Sequence, residues 1–223
     1  MLFLALFITA YLLGCLNASF YLAKWVSRVD IRKVGSGNAG SRNLSRSLGL
    51  PYAVLAFIWD GAKAFLAVYG AIWFSADDAT LSVIFPIFAL CAVIAGHIWP
   101  VQLAWRGGKG LACLLGGLLS FEPVFFGLSL LFFLSVYCFL RWSFRWRQPD
   151  AAVFISVLSL PFLFFLYQVF FWQFLISELL VPFFLLGLIS AMVLFAHRQN
   201  ILDVVMPFVL APIQDVAHDD TKV

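Results

Sequence analysis

Apolar residues in this chain gather into long, nearly unbroken runs rather than the three-and-four spacing of a helix with one wet face. Runs near the roughly 20 residues needed to cross a bilayer cover 2–23, 51–74, 81–105, 124–140, 151–173 and 179–196. A shorter run, 110–120, follows Arg106-Gly107-Gly108-Lys109 and stops at Glu122-Pro123. A half-length helix is tolerated at membrane depth where it is buried in protein or lines a cavity. The pattern predicts seven helical segments, one of them short.

The polar positions fit that count. Segment 24–50 holds Lys24, Arg28, Arg32, Lys33, Arg42 and Arg46; 106–109 holds Arg106 and Lys109; 141–150 holds Arg141, Arg145 and Arg147; Arg198 and Lys222 follow the last run. The alternate links hold Asp77 and Asp78, then Glu122, then Glu178, and no Lys or Arg. With seven segments every basic link falls on one side, and with six the alternation breaks. The positive-inside rule then places the N-terminus outside and the C-terminus in the cytoplasm. The expected fold is an all-α integral membrane protein, a seven-helix transmembrane bundle over 1–203 with a divergent tail at 204–223.

Composition agrees: 64% of residues are hydrophobic and 11% charged, against about 25% charged in soluble domains. No stretch is polar enough for a separate soluble domain, and no nucleic-acid partner is expected. Cys15, Cys91, Cys113 and Cys138 stand singly in apolar runs and read as buried small hydrophobes. "LLGC" at 12–15 resembles a lipoprotein cleavage box, but the first basic residue, Lys24, follows the apolar run. A signal peptide carries its charge before that run, so 2–23 reads as a retained helix.

"GSGNAG" at 35–40 matches the glycine spacing of a dinucleotide-binding turn, and Asp60 stands twenty residues past Gly40. That turn needs a strand before it. Here a membrane run and a basic linker precede it, and Asp60 lies inside the next run. What remains is an anion-binding loop: glycines let N–H groups converge, and Ser36, Asn38, Ser41 and Asn43 add polar side chains. Arg46 follows Asn43 by three residues, and a basic surface loop for lipid head groups is the plainer alternative. "GHIWPVQLAWRGGKG" at 96–110 is a second glycine-rich stretch. It departs from a nucleotide P-loop at Leu103 and Gly110, yet Gly107, Gly108, Gly110 and Lys109 suit an anion, or else a tight turn. His97 reads as a hydrogen-bonded structural residue. His197 and Asn200 share a helical face at the end of the last run. Asp60 and Lys63, at i and i+3 deep in 51–74, must face the interior and pair. A neutralised structural pair is preferred over a substrate or proton path. No metal-ligand set and no nucleophile triad emerges.

In series these stretches resemble the bacterial acyl-phosphate:glycerol-3-phosphate acyltransferases, the PlsY-like family. "YLLGCLNASFYLAK" resembles its first helix, "GSGNAGSRNLSRSLG" its first motif, "DGAK" its D-x-x-K, "GHIWPVQLAWRGGKGLA" its second motif and "HRQNI" the start of its third, over residues 4–201. The resemblance implies an enzyme of the bacterial inner membrane, with its site on the cytoplasmic side. It would transfer an acyl chain from acyl-phosphate to glycerol-3-phosphate, giving lysophosphatidic acid for phospholipid synthesis. It implies Ser36, Arg46, Lys109, His197 and Asn200 as catalytic. Gly35, Gly37, Asn38, Gly40, Asn43, Gly107, Gly108 and Gly110 would hold phosphate, with Asp60, Lys63 and His97 in support. No cofactor or metal is implied, the proton acceptor is a substrate phosphate, and a monomer among membrane lipids is expected. The His-x4-Asp motif of other glycerolipid acyltransferases is missing: Gln102, Leu202 and Val223 stand five residues after His97, His197 and His218.

The chain departs from the family pattern in three places. Ser41-Arg42 replaces Ala-Thr, and Asn17-Ala18 replaces Ile-Pro. After "HRQNI" comes "LDVVMPFVL" in place of Arg, Leu, Gly and Glu, with nothing comparable expected for that Glu. The tail carries Asp215, Asp219 and Asp220. Arg42 has two readings, a second clamp on substrate phosphate or a residue facing the membrane surface, and the surface reading is preferred. Two other functions stand beside the acyltransferase. One is a transporter of a phosphorylated solute, motivated by Asp60 and Lys63. The other is a non-catalytic relative that binds acyl-phosphate or lipid, motivated by the shortened third motif.

Overall fold

A computed structural model of the protein describes residues 2–77, 81–143, 149–172 and 176–219, with side chains for 3–77, 81–143, 149–172 and 178–203. Asp78, Arg145, Arg147 and the side chains of the 204–223 tail, Asp215, Asp219, Asp220 and Lys222 included, lie outside the described residues. The helices are α1 (Leu2–Cys15), α2 (Ala18–Val26), α3 (Ser41–Leu48), α4 (Leu50–Ser75), α5 (Leu81–Ile98), α6 (Leu111–Phe121), α7 (Pro123–Ser143), α8 (Asp150–Tyr167) and α9 (Ile176–Asp219). Six helical stretches among the described residues are long and apolar enough to cross a membrane, counting Phe3–Val26 as one, and α6 is a shorter apolar helix. The apolar segments are therefore where the sequence places them, but the helices are more numerous than seven. The first run is broken in two, and α3 is an extra short helix in the basic link.

The break at Leu16-Asn17 is the main departure from the expected single helix over 2–23. A break at membrane depth frees carbonyls that lipid cannot satisfy. Here polar side chains from distant helices take them. Lys63 Nζ donates to Gly14 O and Leu16 O, each at 2.9 Å, and Gln102 Nε2 donates to Cys15 O at 2.6 Å. Asn17 then caps α2, its side chain accepting from Phe20 N at 2.9 Å. The run 81–105 also ends early, at Ile98, followed by a 3-10 turn at Val101–Leu103. The run 151–173 finishes in a π turn over Gln168–Trp172.

Helix α5 is the most deeply buried of the long spans, packed against α1, α4, α6 and α9. Membrane helices gain little from apolar burial against each other and associate through close backbone approach at small residues. A Cβ on Gly14 would lie 2.2 Å from Val93 O, and one on Gly96 would lie 2.1 Å from Tyr11 O, so α1 and α5 meet backbone to backbone. Gly61 and Gly116 do the same for α4 and α6. Large apolar side chains such as Trp73, Leu131, Phe162 and Phe184 point outward, as a lipid-facing surface requires. Cys15, Cys91 and Cys113 are buried, but Cys138 is exposed on α7. The packing brings the links 27–40 and 99–110 together at one end of the bundle, where Ala39 N bonds Gly107 O at 3.4 Å and Arg32 Nη1 bonds Leu103 O at 2.6 Å.

Candidate active site

Three helices begin at that end around one cavity of about 450 Å³. Gly40 and Ser41 open α3, Leu111 and Ala112 open α6, and Pro149 and Asp150 open α8; all line the cavity. The first turn of a helix carries N–H groups without intrahelical acceptors, and the macrodipole makes that end positive. Three such ends converging on one space favour an anion.

The first glycine loop is held by Asn43. Its Oδ1 accepts from Ser36 N at 3.0 Å, and its Nδ2 lies 3.0 Å from each of the carbonyls of Ile31, Val34 and Asn38. Gly35 and Gly37 have φ of 58° and 70°, left-handed values that glycine adopts at little cost. Asn17 Nδ2 ties the far end, donating to Ala39 O at 2.9 Å. Asn17, a departure from the family pattern, thus couples the helix break to the loop. Arg32 braces the same turn, with Nε and Nη2 on Asp30 at 2.9 and 2.8 Å. The hydrogen bond from Arg32 holds the Asp30 carboxyl down at about 2.

The second loop is closed from behind. Gly107 N donates to Ile98 O and Gly108 N to His97 O, both at 3.0 Å. A Cβ on Gly107 would lie 2.0 Å from His97 O, and one on Gly108 would lie 2.1 Å from His97 Nε2. Those two glycines allow the loop to lie on His97, and their N–H groups are committed within the protein. The expected phosphate-binding set divides accordingly. Asn38, Gly40 and Asn43 line the cavity, whereas Gly35, Gly37, Gly107, Gly108 and Gly110 shape the loops without lining it. Asn43 lines the cavity with its carboxamide engaged by the backbone of the loop, which makes it a brace.

The catalytic candidates Ser36, Arg46, Lys109, His197 and Asn200 do come together at the cavity wall. Arg46 is exposed there and makes no hydrogen bond or ion pair among the described residues. Lys109 Nζ donates to Asn200 Oδ1. Burial holds the Lys109 pKa below the ordinary lysine value; Asp150 opposes that shift and Arg42 adds to it. His197 Nδ1 lies 2.9 Å from Val193 O. A carbonyl only accepts, so Nδ1 carries the proton and a neutral ring keeps Nε2 as an acceptor.

Asp60 and His97 line the cavity floor, and Lys63 points away to the α1 break. Lys63 Nζ is 2.7 Å from Asp60 Oδ1 and 3.1 Å from His97 Nδ1. The Asp60 contact has ion-pair distance without hydrogen-bond alignment. The Lys63 ammonium is thus engaged at the α1 break, while Asp60 keeps its place at the cavity.

Two site residues escaped the sequence reading, and a third was misplaced. Asp150 is buried in the cavity wall, where Asn200 Nδ2 donates to its Oδ1 at 2.7 Å. Its one signal in the sequence is that it is the single acid in the basic link 141–150. Asp203 also lines the cavity, one turn past Asn200 on α9, so an acid does follow the shortened third motif. Arg42, read as facing the membrane surface, instead lines the cavity and reaches Asp150 with Nη1 at 3.2 and 3.1 Å from the two carboxylate oxygens.

Comparison with known proteins agrees with this architecture. Residues 4–206 match the family model described as glycerol-3-phosphate acyltransferase. The glycerol-3-phosphate acyltransferase of Alkaliphilus metalliredigens (strain QYMF) is 34% identical over 199 residues, covering 89% of this chain and 90% of the relative. That of Syntrophomonas wolfei subsp. wolfei is 34% identical over 201 residues, covering 88% and 90%. The crystal structure of PlsY (YgiH), an integral membrane glycerol 3-phosphate acyltransferase, in its glycerol 3-phosphate form superposes with a TM-score of 0.75 at 29% identity, covering 93% of this chain and 94% of that one. Its lysophosphatidic acid form gives 0.74 at 28% identity, covering 93% of each. With a cavity built from its motif blocks and the family matched over nearly its whole length, this chain belongs to the glycerol-3-phosphate acyltransferase family.

Proposed function

We propose that this cavity transfers an acyl group from acyl-phosphate to glycerol-3-phosphate, releasing phosphate and lysophosphatidic acid. The observation that carries the reading is the guanidinium of Arg46, unpaired beside Lys109 where three helix N-termini converge. An exposed guanidinium that no protein group engages among the described residues stays open to an incoming anion, and a dianionic phosphate fits it. Arg46 binds it as a planar fork and Lys109 as a point charge. Ser36 and Asn38 add side-chain donors at the same wall.

In the reaction the acceptor hydroxyl oxygen forms the new ester bond to the acyl carbon, and the bond from that carbon to the phosphate oxygen breaks. Phosphate departs with the electron pair, and a substrate phosphate oxygen takes the hydroxyl proton. His197 Nε2, left as an acceptor by the Val193 contact, orients the hydroxyl. The helix N-termini stabilise the negative charge that develops on the carbonyl oxygen. Holding the activated acyl donor and the acceptor hydroxyl in register is the larger part of the catalysis. The apolar wall at Phe57, Leu111 and Val153 suits the start of an acyl chain.

Counting α6 as a membrane segment gives seven, with the N-terminus outside, the C-terminus in the cytoplasm, and the cavity opening to the cytoplasm of a bacterial inner membrane. Residues 1–203 form the enzyme and 204–223 a divergent tail that continues α9 as far as Asp219, and the unit is a monomer. The test is orthophosphate release by purified protein in detergent given both substrates. Lys109→Ala should reduce release at least 100-fold, about the value of one charge-assisted contact to the reacting phosphate. Release that is unchanged in Lys109→Ala would place the reaction elsewhere.

A further inference from the structure

The polar contacts of the cavity form one chain. Arg42 donates to Asp150, Asn200 donates to Asp150, and Lys109 donates to Asn200. Asp150 is the junction. A carboxylate only accepts, so it obliges Asn200 to turn Nδ2 towards it, and Oδ1 then faces Lys109. Rotated by half a turn, Asn200 would point a donor at an ammonium. Asp150 also anchors Arg42 by Nη1 alone, and among the described residues Nε and Nη2 of Arg42 have no partner. Arg42 and Arg46 are four residues apart on α3 and both line the cavity. Like charges at that spacing repel; Asp150 relieves the repulsion, and a dianion between them removes it.

We propose that Asp150 is a positioning residue of the acceptor site, which holds Arg42 as a third phosphate-binding cation and fixes the Asn200–Lys109 contact. The inference rests on the acyltransferase reading. Arg42 stands where the resembled family carries a small hydroxyl residue, so this clamp is a feature of this chain. It has a directional consequence. Without Arg42, Asp150 is a buried carboxylate facing an anion site, offset by the Asn200 hydrogen bond and the more distant Lys109 charge without a cation in direct contact, and it repels the substrate. Removing both partners takes away the clamp and the repulsion together.

The test is a double-mutant cycle on steady-state kinetics with glycerol-3-phosphate varied. Gel filtration and thermal melting in detergent confirm that each variant is folded. Arg42→Thr should raise KM about tenfold, the loss of one charge-assisted hydrogen bond, with kcat changed less than threefold. Asp150→Ser should raise KM by a similar factor and also lower kcat, because Asn200 and Lys109 lose their register. The pair Arg42→Thr with Asp150→Ser should return KM to within about threefold of the Arg42→Thr parent's starting value, the wild type. Arg42→Lys should recover little, because a point charge cannot bridge carboxylate and phosphate together. An unchanged KM in Arg42→Thr, or a double variant whose KM increases multiply as for independent sites, would overturn the proposal. Wild-type protein without turnover would instead defeat the acyltransferase reading. In that case glycerol-3-phosphate binding, followed as a rise in melting temperature, reads the same cycle, and loss of binding in Arg42→Thr with recovery in the double variant still supports the clamp.

Discussion

Replacing Lys63 with methionine should damage this protein more than any single change in the outer half of the bundle. The side chain holds two carbonyls at the α1 break, at 2.9 Å each, and an aspartate at 2.7 Å, with both charged side chains about 3% exposed. Methionine fills the volume but leaves the buried Asp60 without its lysine, facing His97 at 3.5 Å, and leaves the Gly14 and Leu16 carbonyls without this donor. Removing one partner of a buried pair costs about 3–5 kcal/mol. For a chain of this size each kcal/mol moves the melting temperature by about 2–4 °C, so a fall of about 8–16 °C is expected for a loss of about 4 kcal/mol. Thermal unfolding in detergent, followed by tryptophan fluorescence, measures it. The double variant Asp60→Asn with Lys63→Met should melt above the single, because no uncompensated charge remains. Activity should fall in both, since the break positions Asn17 and Asn17 holds the first glycine loop at Ala39 O. A Lys63→Met protein that melts within about 2 °C of wild type would refute the idea that Lys63 secures the break.

Three further outcomes follow from the site. Arg46→Lys keeps the charge but loses the two-toothed contact, and kcat/KM should drop by at least tenfold in the phosphate-release assay; a silent variant would mean the fork is unnecessary. Asn43→Asp replaces the donor that braces three loop carbonyls with an acceptor, so melting temperature and activity should both fall, while an unaffected variant would show the brace to be dispensable. The Lys109 pKa is lowered by burial, and the anion-binding form is the protonated one. The alkaline limb of kcat/KM should therefore set in below the ordinary lysine value of about 10.4 and move to higher pH in Lys109→Arg, as far as that variant turns over; an unmoved limb would assign it to another group.

The helices were legible because a bilayer demands runs of about 20 apolar residues, and no soluble alternative explains six of them. The break at Leu16-Asn17 was not, because the groups that make it tolerable, Lys63 and Gln102, come from other helices. Cavity residues were found where they sit in glycine-rich or helix-ending motifs: Ser36, Arg46, Lys109, His197 and Asn200 converge as expected. Asp150 was missed because its partners lie 108 and 50 residues away, and its one local mark is being the single acid of a basic link. Arg42 was misplaced for the same reason, since its charge looked like one more basic residue of a juxtamembrane link. Glycine spacing was misleading in a specific way. It signals close backbone approach, and sequence cannot say whether the approaching atom belongs to a ligand or, as at Gly107 and Gly108, to His97.

The central claim is that this chain joins an acyl group to glycerol-3-phosphate at the Arg46–Lys109 cavity. Mass spectrometry of the lipid products formed by purified wild-type protein from acyl-phosphate and isotope-labelled glycerol-3-phosphate tests it most directly. Labelled lysophosphatidic acid should accumulate in step with released phosphate, and omission of either substrate should abolish it. Acyl-phosphate that is consumed at the same rate without glycerol-3-phosphate, or left intact with no labelled lipid formed, would contradict the account.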